Sequence, residues 1–168
     1  MSSIAPLTPL PSLRISTHHI PSHSLLPNCP APSHPLYIYH NAYPPTTSPS
    51  ALESHLSAIS VFYCGRVRLC FGGEGNPGRV EMVVKAGDAI VIPAGVGHRL
   101  WEDLEGGFQM VGAYPKGRDW DMCYGKEGEG EGEKAKAVKD VEWFKRDPLY
   151  WDEGFVVWKY PKRGISVQ

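Results

Sequence analysis

The chain is long enough to form one domain with a sizeable hydrophobic core, and its composition excludes several functional classes. Of its 168 residues, 42% are hydrophobic and 21% are charged, and the formal net charge is −1. This balance predicts neither a nucleic-acid-binding surface nor a polybasic membrane-binding segment. No apolar run approaches the length of a membrane span.

The N-terminal stretch MSSIAPLTPLPSLR bears on the location of the protein. It has neither a charged n-region nor a continuous apolar region, so a secretory signal is not predicted. We therefore expect a cytoplasmic protein. Organelle targeting stays open, because the stretch contains serines and one arginine but no acidic residue.

The N-terminal third of the chain has an unusual composition. Residues 1–52 contain 11 of the 16 prolines and one charged side chain, Arg14. Proline fixes φ and removes a backbone donor, which disfavours both a central strand and a long helix. The sequence thus predicts an extended proline-rich arm over residues 1–33 and a single domain over residues 34–160.

One short helix is predicted, from the stretch SPSALESHLSAI. Ser50 and Glu53 have the spacing of a capping box, and Leu52, Leu56 and Ile59 fall on one helical face. The helix is expected to span residues 50–58, about two turns.

After this helix, apolar and polar residues alternate with a period of two. The stretch ISVFYCGRVRLCFGG predicts two strands forming a hairpin around Gly65, with Val67, Leu69 and Phe71 on one face. Several more short strands follow, separated by glycine and proline turns, which indicates an all-β antiparallel sandwich or barrel. Residues 125–140 are rich in Gly, Glu and Lys and are predicted to form a disordered, solvated loop.

The stretch GDAIVIPAGVGH carries a recognisable spacing of glycine, proline and histidine. Its fixed positions are Gly87, Pro93, Gly95 and His98. This pattern resembles the second signature of the cupin superfamily of RmlC-like proteins. The stretches RLCFGG, VGAYPKGRDWDMC and DPLYW are similar to the YjlB-like group of uncharacterised single-domain cupins. The resemblance implies a double-stranded β-helix, or jelly roll, with His98 pointing into the barrel mouth.

The first cupin signature is missing. It consists of two histidines one residue apart, a glutamate four or five residues later, and a glycine after six more residues. If Gly65 is that glycine, Ala58 stands where the glutamate belongs, and residues 51–54 contain no histidine. Two strands with their turns, about 15–25 residues, are therefore expected to be absent before Ile59, leaving an incomplete jelly roll. A true loss and a gene-prediction error both account for this gap.

The resemblance marks His98 as a residual metal ligand, and the alternative is an orphan histidine with a hydrogen bond to a neighbour. Tyr114, Trp120 and Asp121 are candidates for the barrel mouth, although Trp120 as a core cap and Asp121 as a turn residue are the alternatives. One imidazole cannot hold a divalent metal, since three or four ligands are normal. No cofactor is predicted for this chain.

Three functions remain open from the sequence. The first is a cupin-like protein without a competent metal site that binds at most a small organic molecule in the barrel. The second is a metal-dependent oxygenase or isomerase, using iron, manganese, nickel or zinc, whose active form carries the missing segment. The third is a structural or interaction protein that pairs through its sheet edges. A homodimer is expected, because absent strands leave open edges.

Overall fold

A computed structural model of the chain describes residues 6–29, 31, 33–56, 60–118 and 122–156. The strands are β1 (Arg14–His18), β2 (Leu36–His40), β3 (Ser60–Cys64), β4 (Arg66–Phe71), β5 (Val80–Lys85), β6 (Ala89–Val91), β7 (His98–Asp103) and β8 (Gln109–Gly112). The helices are a 3-10 turn (Leu10–Ser12), α1 (Pro49–Glu53) and α2 (Glu131–Lys139). The predicted predominance of β-structure is confirmed. Within the described ranges, no helix has the length and apolar character needed to cross a bilayer.

The strands form two antiparallel sheets in the described part of the chain. Five strands pair in the order β1-β2-β6-β3-β8, and three pair in the order β5-β4-β7. β7 and β8 follow each other in sequence, but each lies at the edge of a different sheet.

The chain changes sheets at Gly65, where the sequence predicted a hairpin. β3 pairs with β6 and β8, whereas β4 pairs with β5 and β7. Gly65 has φ +79°, and a Cβ there would lie 3.2 Å from the Cα of Phe108. Glycine tolerates both this left-handed conformation and the close backbone approach. The hairpin prediction was wrong because this turn directs the chain into the other sheet.

Buried apolar side chains lie on both faces of the five-stranded sheet. Successive residues of a strand point to opposite faces, so Leu36 and Ile38 enter an inner core between the two sheets, while Tyr37 and Tyr39 enter an outer core. The inner core also contains the three residues of β4 that were predicted to share a face: Val67, Leu69 and Phe71. α1 and the segment 143–156 cover the outer core.

The predicted arm contributes a strand and a buried anchor to the domain. β1 pairs with β2 along its whole length, as an edge strand. Asn28 is fully buried. Its amide nitrogen donates to the carbonyl oxygens of Pro21, at 2.8 Å, and Gly72, at 3.1 Å, and its side-chain oxygen accepts from Gly97 N at 3.3 Å. Because these bonds satisfy the buried amide, the arm is fastened to the turns beside the inner core.

α1 begins earlier and ends earlier than the sequence predicted. Ser48, not Ser50, is the N-cap, and its Oγ accepts a hydrogen bond from Ala51 N at 3.4 Å. Pro49 occupies the first helical position, where its fixed φ suits a helix and its missing N–H costs nothing. The helix ends at Glu53, and residues 57 and 58 of the predicted span lie outside the described residues.

α2 occupies most of the region that was predicted to be a disordered loop. The glycine-rich composition suggested disorder, but the stretch EKAKAVK consists mostly of good helix formers. Glu131 and Glu133 lie in the first turn, and Lys136 and Lys139 lie in the last. All four charges therefore interact favourably with the helix dipole. None of its residues is buried, and the segment is solvated as expected.

A buried carboxylate fastens the C-terminal part of the described chain to the outer core. Asp147 is 1% exposed, and its Oδ2 accepts a hydrogen bond from the Tyr39 hydroxyl at 2.5 Å. Four backbone N–H groups also donate to its two oxygens at 2.9–3.1 Å, those of Leu149, Tyr150, Phe155 and Val156. Five donors compensate for the burial of a charged group.

Gly154→Ala is expected to destabilise the protein by about 3 kcal/mol. A Cβ at this position would collide with the side chain of Asp147 and displace its hydrogen-bond donors. The free energy of unfolding in urea measures the effect. Gly132→Ala is the control, because a Cβ there meets nothing within 4 Å, and we expect up to about 1 kcal/mol of added helix stability. Equal stabilities of the two variants would contradict the prediction.

The protein is expected to unfold in alkali. Burial raises the pKa of Tyr39, Tyr43 and Tyr150 above the ordinary value of 10.0, and the charge of Asp147 adds to this for Tyr39 and Tyr150. The fold favours the neutral phenols, so their contribution to stability is full below pH 10 and is lost as the pH rises above it. Phenolate absorbance and circular dichroism, followed together, should change in one transition. Ionisation of all tyrosines in a chain with native dichroism would contradict this expectation.

Candidate functional site

Gly87 forms the turn that begins the G-x5-P-x-G-x2-H stretch. Its φ is +93°, its N–H donates to Phe62 O at 2.8 Å, and its carbonyl oxygen accepts from Tyr43 N at 3.0 Å. A Cβ at this position would collide with the carbonyl oxygen of Tyr43. Only glycine combines this backbone conformation with such close contact.

Pro93 and Gly95 then redirect the chain from β6 into β7. Val96 N donates to Pro93 O at 3.1 Å, which closes a tight turn. Gly95 has φ +94°, and its carbonyl oxygen accepts from Asn28 N at 3.0 Å. The turn therefore fixes the start of β7 against the arm.

His98 is the first residue of β7 and lies on the inner face of its sheet. It pairs with Phe71 of the inner core, and residues paired across antiparallel strands share a sheet face. Its ring stacks on the Phe71 ring with 6.4 Å between centroids. Its Nδ1 is 3.1 Å from Val96 O, yet the residue as a whole is exposed.

Two apolar residues on the same inner face are also exposed. Leu100 pairs with Leu69, and Met110 of β8 pairs with Phe62. Leu69 and Phe62 are 9% and 2% exposed, whereas Leu100 is 43% and Met110 is 39% exposed. We call these exposed inner-face residues of the two edge strands, His98 and Leu100 on β7 and Met110 on β8, the open side.

The open side results from the position of β7 and β8 in their sheets. Each strand has one neighbouring strand among the residues that the structure describes, β4 for β7 and β3 for β8. An inner-face side chain on an edge strand is covered on one flank only. Along the outer edge of each of these two strands, the backbone presents a row of N–H and C=O groups that no neighbouring described strand pairs.

Of the other candidate residues, one follows β8 and two lie outside the described residues. Tyr114 follows β8 by two residues and is 49% exposed. Trp120 and Asp121 lie outside the described residues. The structure therefore gives no grouping of Tyr114, Trp120 and Asp121 with His98 at a barrel mouth.

The described donors do not fit the metal site that the cupin resemblance implies. Across the described ranges, no three His, Cys, Asp or Glu side chains lie close enough together to hold a metal ion. The Nδ1 of His98 contacts Val96 O, and the Nδ1 of His55 is 3.1 Å from the Tyr43 hydroxyl. Burial lowers the pKa of His55, since a charged imidazole is less well solvated there.

A small surface cavity of about 200 Å³ lies between the arm and the turn after β4. Its lining includes His23, Leu26, Glu74 and Tyr124. Sites for small organic ligands usually enclose about 300–1,000 Å³. This cavity is therefore too small for most organic ligands, and His98 does not line it.

Sequence reasoning did not single out Leu100, Met110 or Asp147. Leu100 follows His98 by two residues on one strand, and this spacing alone places both on the same face. Asp147 precedes a proline, and an aspartate at such a turn accepts hydrogen bonds from the following N–H groups. The five donors to Asp147 include Tyr39, 108 residues away, and no local signal predicts that contact.

Fold and site together describe a β-sandwich protein with one uncovered inner side. A curated protein of Bacillus subtilis (strain 168), "Uncharacterized protein YjlB", is 29% identical to this chain over 153 aligned positions, which cover 79% of this chain and 88% of that protein. No family model and no solved structure matches the chain.

The full chain is expected to purify with far less than one equivalent of metal. One exposed imidazole does not supply the three or four ligands of a protein metal site. Elemental analysis for iron, manganese, nickel, copper and zinc, on protein prepared without a metal-binding tag, measures the content. His98→Ala should leave it unchanged, with His55→Ala as the matched control. One equivalent of metal that is lost in His98→Ala would contradict the prediction.

Proposed function

We propose that this chain is a cupin-type jelly roll that lacks two adjacent strands and that acts through association with another polypeptide at its open side. In this proposal the metal-dependent chemistry of cupins belongs to proteins with the complete barrel. The exposure of Leu100 and Met110, two apolar residues on the inner face, carries the proposal.

The order of the strands supports an incomplete jelly roll. A jelly roll has eight strands in two sheets, and the chain passes repeatedly between the sheets. Of the six strands from β3 to β8, β3 lies in the five-stranded sheet and β4 and β5 in the three-stranded sheet. β6, β7 and β8 then lie in the five-stranded, the three-stranded and the five-stranded sheet. One added strand beside β7 and another beside β8 would cover both inner-face residues. These two strands would be consecutive, between α1 and β3.

The comparison with YjlB supports the size of the missing segment. The 79% share of this chain is about 133 of its 168 residues, fewer than the 153 aligned positions. About twenty aligned positions of the relative therefore have no counterpart here. Two strands with their turns need about 15–25 residues. We place this gap between residues 56 and 60, where the first cupin signature is missing.

The chemistry of the exposed edges supports a polypeptide as the ligand. An open strand edge offers alternating N–H and C=O groups, which an added strand satisfies along its length. The exposed inner-face side chains provide apolar contacts for every second residue of that strand. A small organic molecule would leave most of these backbone groups unpaired.

A metal-dependent enzyme is the second candidate, and the unmatched positions of the relative favour it. If the gene encodes a longer form with two histidines and a glutamate in that segment, the added strand beside β7 would bring them close to His98. That form would be the catalyst, and the 168-residue chain would be its inactive counterpart.

Insertion of the corresponding YjlB segment between residues 56 and 60 tests the proposal. We expect the backbone amides of β7 and β8 to exchange with solvent at least tenfold more slowly in the insertion variant, because both edges gain a partner strand. Hydrogen exchange measured by mass spectrometry reports this at the two strands.

The control is an insertion of equal length, rich in Gly and Ser, at the same place. It should leave the exchange at β7 and β8 unchanged. Equal exchange in both insertion variants would contradict the jelly-roll proposal. Metal bound to the YjlB insertion variant and lost on His98→Ala would favour the enzyme as the function of the longer form.

A further inference from the structure

We propose that the partner at the open side is a second copy of this chain, and that β7 pairs antiparallel with the β7 of that copy. This inference rests on the proposed function, because it requires the outer edge of β7 to be free. The paired strands would join the two three-stranded sheets into one sheet of six strands across a two-fold axis.

The strand β7 has the charge pattern that such a pairing needs. Its sequence HRLWED carries basic and imidazole groups in its first half, two apolar residues at its centre, and two acidic residues in its second half. In an antiparallel pair centred between Leu100 and Trp101, Arg99 faces the partner's Glu102, and the same contact is repeated on the other side of the axis. Opposite charges directly across a strand pair stabilise it.

A bulge in β7 places these two charges on the same face. Arg99 pairs with Cys70, and Glu102 pairs with Arg68, with a register shift between them. Cys70 and Arg68 are two residues apart on β4, so they share a face. Arg99 and Glu102 would otherwise lie on opposite faces, since they are three residues apart. The bulge leaves Trp101 as the extra residue, and in the dimer both charges meet their partners on the outer face.

The ion pairs within one chain leave these charges available. Arg99 contacts Glu74 at 2.8 Å, and Glu102 contacts Arg68 at 3.4 Å. All four side chains are between 41% and 63% exposed, and exposed ion pairs of this kind contribute little to stability. Each charge can therefore take part in a second contact across the dimer.

The other three sheet edges in the described part of the chain are weaker candidates for self-pairing. β1 carries Arg14 and His18 but no acidic residue to pair with them. β5 carries Glu81 and Lys85, which would also face each other across a two-fold axis at Val83. Its inner face, however, is covered, because Val84 is buried and Met82 packs against the inner core. β8, Gln109–Gly112, has no charged residue to define a register. β7 is the edge with both charge complementarity and an uncovered inner-face residue, Leu100.

Sedimentation velocity of the full chain across the micromolar range tests the proposal. One six-residue strand pair is small beside stable dimer interfaces of about 1,200–2,000 Å², so we expect a dissociation constant on the order of micromolar. Arg99→Glu and Glu102→Arg should each weaken the dimer about tenfold or more, because each puts like charges opposite one another.

The decisive sample is an equimolar mixture of the two single variants. In the mixed pair both charge contacts are complementary again, so a one-to-one heterodimer should form, which native mass spectrometry identifies. The double variant Arg99→Glu/Glu102→Arg should dimerise on its own. Glu81→Lys, on the outer face of β5, is the matched control and should dimerise as the unmodified chain does.

Each outcome decides for or against the β7 dimer. A monomeric unmodified chain, single variants that dimerise normally, or a mixture without heterodimer would each overturn it. Loss of dimer in Glu81→Lys would assign the contact to β5 instead. These results leave the proposed function to its own test, because amide exchange at β8, which the proposed dimer does not cover, reports on the inserted strands alone. If both proposals hold, that insertion variant should also be monomeric.

Discussion

The central strands of the five-stranded sheet, β2 and β6, are buried on both faces, and the rest of the structure follows from the need to cover them. Every residue of β2 and β6 is buried, so neither face of these strands meets water. Their apolar side chains therefore pack into the two cores. A sheet of this kind needs two separate covers. The three-stranded sheet covers the inner face, while α1, residues of the arm and the segment 143–156 cover the outer face. Asp147 fastens the C-terminal cover, because its hydrogen bonds reach both the sheet and its own segment.

The three-stranded sheet does not cover the inner core equally along its width. β4 has buried residues at its inner positions, and β5 has the buried Val84 beside two partly buried residues. β7, at the other edge, has His98 and Leu100 exposed to solvent. In a sandwich, the inner face of an edge strand is protected by the strand opposite it and by its own side neighbours. The proposed association at the open side would cover these residues. Exposed apolar side chains and open strand edges both gain favourable contacts when another strand is added.

The local features of the fold could be predicted from the sequence, and the contacts between distant segments could not. Period-two alternation identified the strands after residue 59 and the shared face of Val67, Leu69 and Phe71, whereas β1 was missed within the proline-rich arm. Gly87, Pro93 and Gly95 were predicted to form turns, and they do so through φ values and hydrogen bonds that are local to the chain. The hairpin at Gly65 was wrong, since alternation describes a strand but not the sheet it joins. α2 was missed because composition was weighed above the helix propensity of a nine-residue segment.

In the candidate site, too, the local features could be predicted from the sequence and the contacts between distant segments could not. The spacing from Gly87 to His98 identified His98 as a candidate residue, and its pairing with Phe71 puts it on the inner face of its sheet. The exposure of Leu100 and Met110 depends on which strands are neighbours, and sequence spacing contains no such information. The buried carboxylate of Asp147 accepts a hydrogen bond from Tyr39. The buried amide of Asn28 donates to Gly72 and accepts from Gly97. Each of these contacts joins residues far apart in the chain.

The hydroxyl of Tyr150 donates to the carbonyl oxygen of Thr8 at 2.8 Å, a contact between residues 142 positions apart. The arm and the segment that covers the outer core therefore depend on each other across most of the described chain. β2 and β6 keep one apolar face uncovered until both segments have been synthesised. Topologies dominated by such distant contacts fold slowly.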